Sequence, residues 1–276
     1  MHLRRPAGAP EDSPDLEIVD ASTPLQALLD EARTKLAETG RPQLALVKGT
    51  PTPGDASRLA RADREASRIV VAPDAVREFD IAHELVRLLL DLPEYMERPG
   101  LDGVDVDYIR ALRRLEGACI DLHVDYEVAL RGFSFGRDFT RHLLESFKVR
   151  LPTAEAGANR RARTDLATDA LRLHALARYG GESGMLSQPI LESYKLAMEQ
   201  FRGNWPHTYS AFYALWQYMQ QAEFLPPASF SGDILDNVVI FMVYPGSVLE
   251  ALGCAAPEAV RQTIAENQAG NTLTPD

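Results

Sequence analysis

The sequence predicts an α+β protein that is mostly helical, with a small sheet in its N-terminal part and an all-α C-terminal part. Three observations carry this. Two short β-rich runs, residues 43–47 and 68–72, lie ahead of a helix-patterned segment. Apolar residues recur at three and four positions through 23–40, 77–92 and 106–130. Beyond Gly157 the remaining apolar patterns are helical in character. The chain therefore divides into a flexible lead (1–15), an N-terminal domain (16–150) and a helical region of unassigned role (151–276).

Each element has its own reason. Residues 1–15 hold three prolines, several acids and little apolar content, which predicts a flexible lead. Thr23-Pro24 opens an amphipathic helix carrying Leu25, Leu28, Leu29 and Ala32, and Gly40 closes it. Residues 48–67, with two prolines and scattered charges, read as a loop or a short exposed helix. The second strand stops at Pro73-Asp74. In 77–92, Ile81, Leu85, Leu88 and Leu89 form one stripe that Leu90 widens, and Pro93 ends the helix. Residues 99–107 are a turn-rich acidic connection. Tyr108, Leu112, Leu115, Cys119, Leu122 and Tyr126 then step by four and three along a long helix that Gly132 terminates.

Downstream, helices are expected near 165–179, 189–201, 207–224, 233–252 and 257–267, broken at Gly180-Gly181, Gly203 and Pro226-Pro227. Residues 237–244 are apolar enough to fit a buried strand instead. The tail 268–276 reads as frayed.

Composition excludes several functional classes. With 40 acidic against 29 basic residues the formal net charge is −11, so the chain has no general basic surface to displace counterions from nucleic acid. Arg160-Arg161-Ala162-Arg163 is the best local basic patch and reads as a solvated helix start. The two cysteines, Cys119 and Cys254, sit in apolar contexts and compose neither a disulfide framework nor a zinc site. No stretch approaches the roughly 20 apolar residues that span a bilayer, and the charged start Met1–Pro6 lacks the apolar run of a secretory signal. The expectation is a cytoplasmic protein without membrane or nucleic-acid partners. Heavy use of Ala, Arg and Pro fits a GC-rich bacterial genome.

One segment carries chemistry: Ile81-Ala82-His83-Glu84-Leu85-Val86-Arg87-Leu88-Leu89-Leu90. Helical residues four apart share a face. A metalloprotease uses this spacing for two zinc-ligating histidines, with a general-base Glu after the first. His83 and Glu84 match, as do the Ala before and the Leu after, and the helix–strand–strand order ahead of the segment fits too. Over residues 23–133 the chain thus resembles the HExxH zinc metallopeptidases, the zincins, with a degenerate motif in which Arg87 stands at the second histidine position. A plain amphipathic helix with His83 and Glu84 at the core edge is the rival reading.

The departure matters more than the match. A guanidinium stays protonated and only donates, so Arg87 cannot bind zinc. A catalytic zinc takes three protein ligands and an open position for water. The resemblance implies that the long helix after the motif delivers a further ligand, and that helix carries Asp121-Leu122-His123-Val124-Asp125. Asp121 and His123 are thus candidate metal ligands beside His83, while Asp121 and Asp125 share a face. His123 is equally placed to be a packed core histidine.

Two functional expectations follow. In one, no zinc is held, Arg87 pairs with Glu84 or Asp121, and the fold serves as a binding or regulatory module for a peptide or protein, or uses Glu84 and Arg87 in metal-free chemistry. In the alternative, zinc is the cofactor of a peptide or amide hydrolase, with His83 and Asp121 or His123 as ligands and Glu84 as the base. No other motif rises to this level. Gly180-Gly181-Glu182-Ser183-Gly184 follows a helix rather than a strand and lacks the Lys of a phosphate loop. Tyr209, Phe212, Tyr213 and Trp216 share a helical face, as a core stripe or a ligand-binding surface. His174 and His207 are isolated.

Overall fold

The computed structural model describes residues 1–8, 10, 14–50, 60–72, 77–93, 95, 105–133, 139–243, 248–253, 258 and 262. The strand stop at Pro73-Asp74, most of the 99–107 connection, most of the 257–267 helix, Cys254 and the tail 268–276 lie outside these residues. The architecture is α+β and mostly helical, and it divides into two compact units. The first comprises Met1–Pro93 with Val124–Ser134, the second Glu94–His123 with Phe135–Asp276. This division does not coincide with a boundary at 150.

The first unit is built on a five-stranded mixed sheet. Strands β1 (His2–Arg4), β2 (Asp15–Val19), β3 (Ala45–Lys48), β4 (Ala60–Asp63) and β5 (Arg68–Val71) run in the order β1-β2-β3-β5-β4. The short apolar run 43–47 and the β-rich run 68–72 form β3 and β5, and they pair in parallel with Leu46 opposite Ile69. All other pairings are antiparallel. Strand β1 lies inside the segment predicted as a flexible lead, because its backbone pairs with β2 from His2↔Val19 to Arg4↔Glu17. Strand β4 lies inside the predicted loop. Its Ala-Arg-Ala-Asp sequence has little intrinsic β preference, and the ladder with β5 supplies the missing order.

Helix α1 (Thr23–Glu38) starts where expected. Ser22 Oγ accepts the Leu25 N–H at 3.4 Å, Pro24 occupies the first turn, and Gly40 leaves with φ +65°. Helix α2 (Glu78–Leu89) begins at a one-sided cap: Asp80 Oδ2 accepts the Arg77 N–H at 2.9 Å. Acidic Glu78 and Asp80 in its first turn and Arg87 in its last complement the helix dipole. At the far end Lys35 Nζ donates to the Leu89 carbonyl at 2.8 Å. The sequence draws one apolar stripe on α2, but ten of its twelve residues are buried. The helix is enclosed on all sides, so its polar residues are buried with the rest, while Leu90, assigned to the stripe, is the C-cap and 40% exposed.

Helix α3 (Val106–Leu130) has the predicted bounds, and Gly132 follows at φ +83°. The second unit continues with α4 (Phe139–Arg150), α5 (Arg160–Glu182), α6 (Gln188–Asn204), α7 (Pro206–Gln221), α8 (Gly232–Val243) and α9 (Val248–Ala251). The segment 237–244 that fits a strand is instead helical through Val243. Helix α7 packs against α5, α6, α8 and α9 and bears Phe212, Trp216 and Met219 in the core. No side chain of its own caps it. Glu155 does so from the loop before α5, accepting the N–H groups of His207 and Thr208, each at 2.9 Å. None of the described helices is long and apolar enough to cross a membrane.

The aromatic stripe of α7 meets a histidine that the sequence leaves isolated. The His174 ring stands edge-on to Trp216 at 4.4 Å and to Phe212 at 5.6 Å, with the Tyr194 hydroxyl 2.5 Å from Nδ1. Burial, aided by the nearby charge of Arg178, lowers its pKa to about 4. The imidazole is therefore neutral and shares a hydrogen bond with the Tyr194 hydroxyl. In the unfolded chain it titrates near 6.5. Between pH 6.5 and 4 the unfolded state binds a proton that the folded state refuses, so stability falls as the pH falls through this window. The slope is about 1.4 kcal/mol per pH unit and the whole contribution about 3 kcal/mol. Urea titrations at several pH values should show His174→Gln losing this share of the acid sensitivity; equal slopes for both proteins would refute it.

Candidate functional site

The motif residues lie within little more than one turn of α2 and are all enclosed: His83 is 6%, Glu84 3% and Arg87 2% exposed. Burying polar side chains is costly unless each is hydrogen-bonded, so their partners define what the site does. His83 Nδ1 lies 2.9 Å from Asp125 Oδ1, and Asp125 is itself 2% exposed. A carboxylate on one ring nitrogen fixes the tautomer and orientation of the imidazole.

Glu84 Oε2 accepts the N–H of Ala62 at 2.8 Å. Ala62 belongs to β4, which among the described residues pairs only with β5 and forms one edge of the sheet. The Glu84 carboxylate thus satisfies an edge-strand donor and ties α2 to the sheet. Arg87 Nη1 donates to the Pro93 carbonyl at 2.8 Å, so its guanidinium closes the chain just past the end of α2. Being four residues apart, His83 and Arg87 share one helical face.

The acid–His cluster of α3 is distributed around its helix. Asp125 meets His83. Asp121 Oδ2 lies 3.8 Å from Arg172 Nη1 in the second unit. The His123 ring packs edge-on against Phe224 at 4.7 Å and Phe230 at 5.8 Å. Helix geometry explains the split: at 100° per residue His123 projects about 200° around the axis from both Asp121 and Asp125. A helical-wheel reading separates His123 from the two acids. The partnerships of Glu84 with Ala62 and of Arg87 with Pro93 involve backbone groups that no side-chain motif announces.

Among the described residues no group of three or more His, Cys, Asp and Glu side chains could hold a metal ion. Around His83 one ring nitrogen faces Asp125, one Glu84 oxygen serves Ala62, and the second histidine position is a cation. No protein-family model matches the chain, nor does any curated protein or solved structure, so its reading rests on its own residues.

Proposed function

We propose that this chain is a degenerate metallopeptidase-like protein without a complete zinc site, which serves as a binding or regulatory module for a peptide or protein ligand. The observation that carries the reading is Arg87, a permanent cation at the second histidine position, buried and bonded to the Pro93 carbonyl. Glu84, engaged by Ala62, supports it from the catalytic-base side. Metal-free chemistry by Glu84 and Arg87 in the same cleft belongs to this reading. A rearranged zinc hydrolase acting on peptide or amide bonds is the second reading, and the His83–Asp125 pair favours it, because proteins orient metal-binding imidazoles with a carboxylate in this way.

Elemental analysis of protein purified without chelator or nickel resin separates the two. The expected content is well under one equivalent of zinc, with no peptide hydrolysis that depends on Glu84. Stoichiometric, chelator-resistant zinc, together with hydrolysis abolished in Glu84→Gln, would establish the hydrolase instead.

A further inference from the structure

Helix α7 buries one face in the second unit and leaves the other uncovered. Phe212, Leu215, Trp216 and Met219 are buried, whereas Pro206, Ser210, Tyr213, Gln217 and Gln220 are exposed. The exposed positions step by four, three, four and three, which keeps them in one nearly straight seam along the helix. Tyr213 sits at the middle of this seam, 44% exposed, with its ring stacked on Tyr209 at 6.1 Å and 6° between the planes.

The composition of the seam sets it apart. A solvated helix face normally carries charge, and 25% of this chain is Asp, Glu, Lys or Arg. Residues 203–222 contain none of the four, and the run is bracketed by Arg202 and Glu223, both exposed. Loss of charge with retention of tyrosine is the compositional mark of a protein–protein contact. The arrangement is also self-complementary, and this selects the occupant. Pro206 and Gln220 each lie seven residues from Tyr213, on opposite sides of it. Ser210 and Gln217 lie three before and four after, Arg202 and Glu223 eleven before and ten after. A second copy running antiparallel about a two-fold axis at Tyr213 therefore meets matching positions, with each Arg202 beside the partner's Glu223. A two-fold dimer requires a patch of this kind. Antiparallel helix dipoles attract, and the net charge of −11 that repels a second copy elsewhere is absent from the seam.

We propose that α7 is the contact surface of a homodimer, in which two copies of this chain lay their exposed seams together antiparallel across Tyr213. The 16-residue helix is about 24 Å long and 10–12 Å across, so the seam alone buries less than the roughly 800 Å² per partner of a standard stable interface. The dimer is accordingly weak, with a dissociation constant on the order of 10–100 μM.

Sedimentation velocity of the full chain from about 1 to 500 μM tests this, and the natural protein is expected to pass from monomer to dimer across that range. Tyr213→Glu puts two like charges on the axis and should leave a monomer throughout, with the melting temperature unchanged because the residue is exposed. Arg202→Glu or Glu223→Arg alone should weaken association about ten-fold, since each symmetric pair occurs twice and becomes repulsive. Combining the two restores opposite signs and should recover most of the affinity. A monomer at every concentration, a dimer that Tyr213→Glu leaves intact, or a double variant no tighter than the singles would overturn the proposal.

Discussion

Replacing Arg87 by His is expected to raise zinc affinity by about 100-fold or more over the natural protein. His83 and position 87 lie one above the other on α2, the spacing at which two imidazoles reach one metal. In the natural chain a dication there would meet the guanidinium. Their repulsion is about 8 kcal/mol at 4 Å with an effective dielectric of about 20. The substitution removes that repulsion and adds a neutral ligand. It also removes the donor to the Pro93 carbonyl, for which a stability loss of about 1–3 kcal/mol is expected. Competition with a colorimetric zinc chelator measures the affinity, and Arg87→Gln is the control because it is neutral but a poor zinc ligand. Equal gains in the His and Gln variants would mean that only repulsion was relieved. No gain in either would remove the metallopeptidase-like reading of this face.

Asp125→Ala should destabilise the protein by about 3 kcal/mol. Asp125 and His83 are both buried at 2.9 Å, so truncation withdraws a carboxylate from an enclosed ring nitrogen and leaves a gap in a packed region. Asp125→Asn retains a carbonyl acceptor of nearly the same shape and should cost about half as much. Urea denaturation of the three proteins at neutral pH reads both numbers. A loss under about 0.5 kcal/mol in Asp125→Ala would show that the pair does not hold α3 to α2.

The two substitutions probe different parts of the region. Arg87→His tests whether the helix face still has metal-binding geometry. Asp125→Ala tests whether the histidine on that face is held by its acid. A protein that fails the first and passes the second has a structural His–Asp pair on an ordinary buried helix.

What the sequence determined by itself was local. The bounds of α1 and α3 follow from Thr23 and Pro24 at one start and from Gly40 and Gly132 beyond the ends, because caps and left-handed glycines act within one turn. The helical character of α2, with His83 and Arg87 on one face, follows from spacing alone. Strand β3 follows from its short apolar run and β5 from its β-branched one. What only the tertiary structure decided was pairing. Strands β1 and β4 have weak intrinsic preference, and their order comes from ladders with β2 and β5, one of them distant in the chain from the sheet's centre. The enclosure of α2 on every side depends on what surrounds it, so a stripe counted on one helix underestimates its burial. The choice of Asp125 as the His83 partner, of the Ala62 N–H for Glu84 and of the Pro93 carbonyl for Arg87 is likewise three-dimensional. Each rests on a distance of under 3 Å between groups whose meeting is set by packing, a non-local quantity that side-chain periodicity does not encode.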